Sequence, residues 1–243
     1  MTTEIQVFKE TEYPILGSDV IDFREALEFN LQEDRSISAR KILTTISMPT
    51  QGGTIFSYST IDGDVNTKEI TGIIIHVQPE RAKFVGQFGE NKMPECSSLD
   101  GIIGTGIPGG ECENCPDNQF GANSSPKPCK EVKMIYMLTK DDVLPICVKC
   151  TAGSFAQWQN YKIGLMRKGL RYTDVETTIT LEAAQNPNKI KYSKLVFKLT
   201  DKITDKAIIN KIQKIKNEFM PLIARTTSEK HDTVEQEKYN EAA

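Results

Sequence analysis

Apolar and polar positions along the 243-residue chain follow mostly the two-residue period of strands, interrupted by a few helical stretches. Strands are predicted at 40–48, 54–60, 68–78, 81–88, 132–139, 143–151, 171–182 and 189–200. The first two are predicted to pair as a hairpin through "PTQGG". Helices are predicted at 19–32, 154–168 and 203–224, with Asp19 and Ser154 as N-caps of the first two.

This order of elements predicts a mainly β (α+β) domain over residues 1–225, built as a small antiparallel barrel with flanking helices; the family resemblance given below implies that this barrel is OB-like. Residues 94–131 form an insertion between two of its strands. Residues 226–243 are polar and lack apolar periodicity, so they are predicted to be a flexible acidic tail. Because there is no apolar run of about 18 residues and no secretory signal, we expect a cytoplasmic protein.

The insertion holds four of the six cysteines, at Cys96, Cys112, Cys115 and Cys129. Structural disulfides are rare in the reducing cytoplasm. A C-x-x-C pair joined by two further thiolates matches the tetrahedral coordination of one structural zinc ion, which would stabilise a segment without an apolar core. The alternatives are free cysteines in a long loop and, less favoured, a redox pair, since "CENC" lacks a preceding strand and a following helix.

Two other features near the insertion have simpler explanations. Cys147 and Cys150 lie three apart in a predicted strand, so they face opposite sides and are expected to be buried, although one of them replacing Cys96 as a ligand stays open. Gly104, Gly106 and Gly109 match G-x-G-x-x-G, but without the strand and helix that a dinucleotide fingerprint requires. We interpret these glycines as hinges of the zinc loop.

Charge is unevenly distributed along the chain. Residues 1–35 hold nine acids and three bases, residues 125–200 hold six acids and thirteen bases, and the tail holds five acids and two bases. A basic β region with aromatic residues is typical of proteins that bind single-stranded nucleic acid, because cations follow the phosphates and rings stack on bases. The candidate contacts are Arg81, Lys83, Phe84, Phe88, Lys133, Tyr136, Arg171, Tyr172, Lys191, Tyr192, Lys194 and Lys198.

Catalysis has little support in the sequence. The two histidines, His76 and His231, lie in an apolar strand and in the tail, and no recognised catalytic motif is present. Asp62 and Asp64 fit a hairpin turn better than a metal pair. Four cysteines around zinc would also leave no open coordination position. We therefore expect a protein that is not an enzyme.

The string "PECSSLDG…GGECENCPDNQFG…PKPCKEVKMIYML…LPICVKCTAGSFAQWQNYKIGL" resembles a family of proteins from bacteriophages and related mobile elements. The resemblance covers roughly residues 70–200, and its most specific positions are the cysteines, Asn118 and Gly121. Phe120 stands where the family commonly has tryptophan. These proteins are similar to phage replication proteins that bind single-stranded DNA through an OB-fold with a zinc insertion, which implies the same fold, metal and ligand here.

The resulting hypothesis is a sequence-non-specific single-stranded DNA-binding protein of phage replication or recombination, located in the cytoplasm of a bacterial host. One structural Zn²⁺ is the expected cofactor, and the tail is a candidate contact for other replication proteins. The first alternative is an interaction protein whose zinc knuckle docks on a host enzyme such as RNA polymerase. The second is an accessory factor of a nuclease or recombinase.

Overall fold

The structure is a computed structural model, and it is mainly β, with a mixed sheet of nine strands and a separate two-stranded sheet. It describes residues 8–9, 12–17, 25, 28–29, 32, 42–60, 63–85, 94–122, 125–187 and 189–221. The predicted mainly β fold class is confirmed at this level. The flexible tail at 226–243 lies outside the described residues.

The helices named below are α1 (Pro14–Gly17), α2 (Phe155–Met166) and α3, whose described residues are 206–221. The strands are β1 (Thr45–Ile46), β2 (Phe56–Thr60), β3 (Gly63–Thr67), β4 (Glu69–Lys83), β5 (Cys96–Ser98), β6 (Ile103–Gly106), β7 (Gly110–Glu111), β8 (Cys129–Leu138), β9 (Ile146–Thr151), β10 (Val175–Gln185) and β11 (Lys191–Lys202).

β4 is the central strand of the large sheet. Its first residues pair antiparallel with β10, and its longer second part pairs antiparallel with β8. β8 continues to β9 and β10 continues to β11, both antiparallel, and α2 connects β9 to β10. β5, β6 and β7 continue the large sheet from the C-terminal end of β4 as a small antiparallel extension.

The sheet does not close on itself within the described residues, since β9 and β11 are not paired with each other. β9 instead pairs with the short strand β1, and this pairing is parallel. The sheet is therefore mixed and open where an antiparallel barrel was predicted. The OB-like barrel stays a prediction.

Each face of the central strands packs into a separate apolar core, because β4 and β8 carry apolar residues at consecutive positions. Cys147 and Cys150 illustrate the arrangement: they lie three apart in β9, and each is buried in a different core. Their predicted burial on opposite sides is confirmed. One core is covered by α1 and α3, and the other contains Trp158 of α2.

The predicted hairpin between 40–48 and 54–60 is wrong. β2 pairs instead with β3, in register from Phe56 opposite Thr67 to Thr60 opposite Gly63. Gly63 and Asp64 of the "DGD" stretch begin β3 at the turn end of this hairpin, as interpreted from the sequence, and Asp62 lies outside the described residues. Ser59 Oγ donates to Asp64 Oδ1 at 2.6 Å on the paired strands.

The predicted helices are found where the structure describes them. Trp158 and Leu165 of α2 are buried, and so are Ile212, Ile215 and Phe219 of α3. Of the predicted helix at 19–32, residues 25, 28, 29 and 32 are helical, and the remainder, with Asp19, lies outside the described residues. None of the described helices has the length and apolar character needed to cross a membrane.

Ser154 precedes α2 but does not cap it with its side chain. Its hydroxyl oxygen instead accepts a hydrogen bond from the backbone N–H of Leu195 at 2.8 Å. Ser154 and Leu195 are both fully buried. The predicted capping role is therefore wrong, and the hydroxyl links the start of α2 to β11.

A buried hydrogen bond ties the N-terminal segment to the sheet. The Tyr13 hydroxyl donates to Glu176 Oε1 at 2.6 Å, and both residues are buried. Burial and the neighbouring Glu176 carboxylate raise the pKa of Tyr13. Lys140 Nζ approaches the same carboxylate oxygen at 3.3 Å.

Replacing Tyr13 with Phe should lower the free energy of unfolding by about 1–3 kcal/mol, because a buried carboxylate oxygen loses its neutral donor. Urea denaturation followed by circular dichroism measures the change. Tyr58→Phe is the matched control, since Tyr58 is half-buried and its hydroxyl has no hydrogen-bond partner among the described residues. Equal losses for the two variants would show that the Tyr13–Glu176 bond contributes nothing specific.

Candidate metal centre and nucleic-acid interface

The four cysteines of the insertion surround one small cavity of about 20 Å³. Cys96 begins β5 and Cys129 begins β8, and both lie directly opposite Lys83 of β4 in the sheet register. Cys112 follows β7, and Cys115 precedes a single 3₁₀ turn at Pro116–Asn118. None of them is in a disulfide. The chain thus brings together the four cysteines that the sequence spacing singled out.

The glycine at position 104 leaves room for two of the sulfurs. A Cβ atom there would lie 3.1 Å from Cys96 Sγ and 3.7 Å from Cys112 Sγ. Burial raises the pKa of the Cys129 thiol, the Arg81 guanidinium lowers it, and the three other thiols raise it further. Among the described residues, no group of three or more His, Cys, Asp or Glu side chains has an arrangement that could hold a metal ion. The zinc site therefore stays a prediction.

Two cations from β4 lie under the insertion. Lys83 lines the cysteine cavity and forms ion pairs with Glu95 at 2.9 Å and with Asp117 at 2.8 Å. Arg81 forms an ion pair with Glu131 at 2.9 Å and donates to Asn118 Oδ1. The hydrogen bonds that Lys83 donates to the carboxylates of Asp117 and Glu95 raise the pKa of Lys83. The Arg81 guanidinium also favours the ionised form of the Cys129 thiol, which is the form that binds metal.

Asn118 is buried at the centre of the insertion and joins three of its parts. Its Nδ2 donates to the carbonyl oxygen of Cys112 at 2.7 Å. Its Oδ1 accepts from Arg81 and from Lys127, the latter at 3.3 Å. The side chain therefore connects the C-x-x-C segment to β4 and to the residues just before β8.

Asp100 organises the turn that follows β5. One of its carboxylate oxygens accepts hydrogen bonds from Ser98 Oγ at 2.9 Å, from Ile102 N at 2.7 Å and from Ile103 N at 3.0 Å. Burial raises the pKa of Asp100, but these donors outweigh it and hold the pKa below its ordinary value. The "CSSLDG" motif thus has a local structural function.

The G-x-G-x-x-G match forms part of a β-hairpin. Gly104 and Gly106 lie in β6, and Gly109 lies in the turn before β7 with φ +73°. A Cβ at Gly106, where φ is +117°, would lie 2.1 Å from the carbonyl oxygen of Glu95. No helix begins after these glycines, so they shape the loop, as expected, and do not form a dinucleotide fingerprint.

Several predicted nucleic-acid contacts have partners inside the protein. Arg81 and Lys83 are held by the ion pairs described above. Lys133 Nζ lies 2.5 Å from Glu131 and 4.3 Å from the centre of the Phe155 ring. Tyr136 is buried and stacks on His76, so its ring does not face solvent. The sequence pattern did not distinguish these internal positions from surface ones.

The remaining candidates are spread over the surface. Arg171 pairs with Asp174 at 2.7 Å, Tyr172 packs against Trp158, and Lys194 pairs with Glu182 at 3.0 Å. Phe88 lies outside the described residues, and Tyr192 is half-buried. The candidates that are exposed and form no ion pair with another described residue are Phe84, Lys191 and Lys198.

Two surface features were missed in the sequence. Lys189 lies in the turn between β10 and β11, two residues before Lys191, and has a φ of +62°. The turn-forming residues "NPN" directly before it could have indicated this position. The insertion also exposes four large apolar side chains: Ile102, Ile103, Ile107 and Phe120. No signal in one sequence separates such residues from core residues.

No protein-family model matches the chain, and neither the curated proteins nor the solved structures contain a match to it. Its function is therefore inferred from the arrangement of its own residues.

Replacing Asn118 with Ala should loosen the insertion while leaving the main sheet intact. The substitution removes the Nδ2 donor to Cys112 and the Oδ1 acceptor shared by Arg81 and Lys127. A buried hydrogen bond lost in this way lowers the free energy of unfolding by about 1–3 kcal/mol. Hydrogen exchange read by mass spectrometry should show faster exchange across 96–122. Gln119→Ala is the control, since Gln119 is exposed and makes one long bond to the Glu113 carbonyl. Exchange unchanged from wild type in Asn118→Ala would contradict this role.

Proposed function

We propose that this protein binds single-stranded DNA without sequence preference, through an OB-like sheet whose cysteine insertion is held by one zinc ion. The observation that carries the proposal is the pairing order of five strands, of which β4 is the first. α2 lies between the third and the fourth of these strands. In chain order these strands are β4, β8, β9, β10 and β11.

The pairing follows the order expected of an OB fold, a five-stranded and partly open Greek-key barrel. The first strand, β4, pairs with the second and the fourth. The second pairs with the third, and the fourth pairs with the fifth. The closing contact between the third and fifth strands is absent from the described residues, in keeping with a partly open barrel.

OB folds bind oligonucleotides on the face of strands two and three and through the loops after strands one and four. Here those loops are the cysteine insertion and the turn between β10 and β11. The turn carries Lys189, and Lys191 begins β11 directly after it. Phe84 follows β4 directly, at the start of the connection from β4 to β8, and is exposed. Cations and an exposed aromatic ring therefore flank the expected binding face, which is what a single strand requires.

The proposed zinc ion would be held by Cys96, Cys112, Cys115 and Cys129. Thiolate is a preferred zinc ligand, and four thiolates form a closed structural site. The small shared cavity, the cations of Arg81 and Lys83, and the absence of a Cβ at residue 104 support this assignment. The sulfurs would have to approach one another on binding, and the ion would supply stability that the insertion lacks in apolar burial.

The metal proposal predicts one zinc per chain in protein purified without chelators, measured by elemental analysis. Cys112→Ser and Cys115→Ser should each lose the metal and increase hydrogen exchange across the insertion, while the circular dichroism of the sheet remains. Cys150→Ala is the control, because Cys150 is buried in the core away from the cavity. Wild-type protein without zinc would refute the assignment.

The DNA proposal predicts that Lys189→Asn with Lys191→Gln weakens binding of a labelled oligothymidine and reduces its salt dependence. If both lysines neutralise phosphates, the slope of log affinity against log salt should fall in magnitude by about 1.4, twice the value of about 0.7 per contact on single strands. Asn tolerates the left-handed backbone at 189. Lys206→Gln with Lys214→Gln on α3 removes the same charge elsewhere and should change the slope little.

Phe84→Ala should cost about 1–3 kcal/mol of binding if its ring stacks on a base. Duplex DNA of the same length should bind more weakly than the single strand. Equal slopes for the turn and the α3 variants would place the DNA elsewhere on the protein. Absence of wild-type binding at low salt would refute the proposal.

A second candidate function is supported by the exposed apolar residues of the insertion. Ile102, Ile107 and Phe120 are each more than 60% exposed, which is typical of a surface that contacts another protein. On this alternative the insertion docks on a host enzyme such as RNA polymerase. Replacing Ile102 and Ile107 with Ser should then abolish co-purification with that enzyme and leave DNA binding unchanged.

A further inference from the structure

One edge of β11 is unpaired. β11 pairs with β10 along one side, and no second strand pairs with it in the described part of the chain. The Leu195 N–H donates to Ser154 Oγ, so it points away from β10. In an antiparallel pair, alternate residues direct both backbone groups to the same side. The N–H groups of Phe197 and Leu199 therefore also point to the open edge.

A groove of about 410 Å³ runs along this edge. Val196 and Phe197 both line it, although consecutive residues of a strand point to opposite faces. The groove therefore lies beside the strand and not over one of its faces. α2 forms the other wall, through residues that include Gln157 and Tyr161, and Lys168 lines the groove just after the end of α2.

The walls of the groove indicate what it would bind. Phe197, Leu199 and Tyr161 supply apolar surface, and the Gln157 Oε1 atom is buried without a hydrogen-bond partner among the described residues. An N–H group delivered along the groove would satisfy this oxygen. Among the described residues, Lys168 is the one charged side chain that lines the groove, and no carboxylate lines it. Lys198 is exposed on β11.

We propose that the open edge of β11 binds an extended, acidic peptide segment of a partner protein by strand addition. Main-chain hydrogen bonds to Phe197 and Leu199 would hold the peptide, apolar side chains would enter the groove, and acidic ones would meet Lys168 and Lys198. Strand addition is a common mode of peptide recognition. The inference does not depend on nucleic-acid binding or on the metal.

The chemistry of the edge favours a peptide over two other occupants. Nucleic acid lacks the alternating N–H and C=O groups that match a strand edge. A second copy of the chain would pair β11 with itself, and this strand carries Lys191, Lys194, Lys198 and Lys202 against Asp201 alone. Like charges on adjacent strands destabilise such a pairing.

The first test is amide-resolved hydrogen exchange by NMR on the free protein, with sedimentation to establish its mass. The amides of Phe197 and Leu199 should exchange much faster than those of Val196 and Lys198, which point toward β10, and the protein should be a monomer. Protected Phe197 and Leu199 amides, or a dimer dissociated by substitutions in β11, would overturn the proposal, because the edge would already be occupied.

The second test uses a fluorescein-labelled pool of capped octapeptides with Val, Ile or Thr at alternate positions and Glu or Asp between them. Fluorescence anisotropy should show saturable binding with new protection of the Phe197 and Leu199 amides. A pool with Lys in place of the acids should bind at least tenfold more weakly, and so should an acidic pool N-methylated at alternate residues. Absence of acidic-pool binding, or binding insensitive to N-methylation, would overturn the proposal.

The matched variants are Gly164→Leu and Gln159→Leu on α2. Gly164 lines the groove, and a Cβ there meets nothing within 4 Å, so leucine fills the groove without a clash at Cβ. We expect at least tenfold weaker peptide binding with unchanged oligothymidine binding. Gln159 is exposed and does not line the groove, so its variant should bind like wild type.

Lys168→Glu is a second variant, and it should weaken binding of the acidic pool and strengthen binding of the basic pool. Because Lys168 is exposed, we expect the variant to fold like wild type, and circular dichroism checks this. A change in peptide affinity then reports the change in charge. Equal peptide affinity in wild type, Gly164→Leu and Lys168→Glu would overturn the assignment of the groove.

Discussion

The structure depends on β4 being paired with other strands from Glu69 to Lys83. Its apolar first half is the centre of the sheet, where it pairs with β8 and β10. Its polar second half continues past the cores and pairs with β8 and β5. One continuous backbone thus supports both the main fold and the cysteine insertion, which has little apolar core of its own. Disorder in the second half of β4 would therefore release the insertion, but the two cores could remain.

This shared strand explains the positions of Arg81 and Lys83. In the sequence they belong to a basic and aromatic stretch, which is the pattern of a nucleic-acid surface. In the fold they extend under the insertion, where the carboxylates of Glu95, Asp117 and Glu131 neutralise them. Their ion pairs therefore hold the insertion against β4. The bases left for a polyanion lie elsewhere, at the turn between β10 and β11.

The mainly β class and the grouping of the four cysteines could be predicted from the sequence. Strand periodicity is a local property, and so is the spacing of Cys112 and Cys115. The failures involve partners distant in the chain. Ser154 has the residue type of an N-cap, yet its hydroxyl bonds to Leu195, 41 positions away. The local sequence around 54–60 is compatible with pairing to 40–48, but in the fold β2 pairs with β3.

The open edge of β11 follows from the same arrangement. In a closed barrel this edge would pair with the third strand, but β9 pairs instead with β1. The side of β9 that could have met β11 is thus taken by another segment of the chain, and α2 leaves a groove beside the free edge instead of covering it. Long exposed edges favour aggregation, and lysine is one of the residues by which proteins prevent it. The lysines of β11 therefore discourage self-pairing, and the same charges would favour an acidic strand. The open edge of the sheet at this position separates the two proposed surfaces, with the proposed nucleic-acid contacts at the turn and the proposed peptide along the strand.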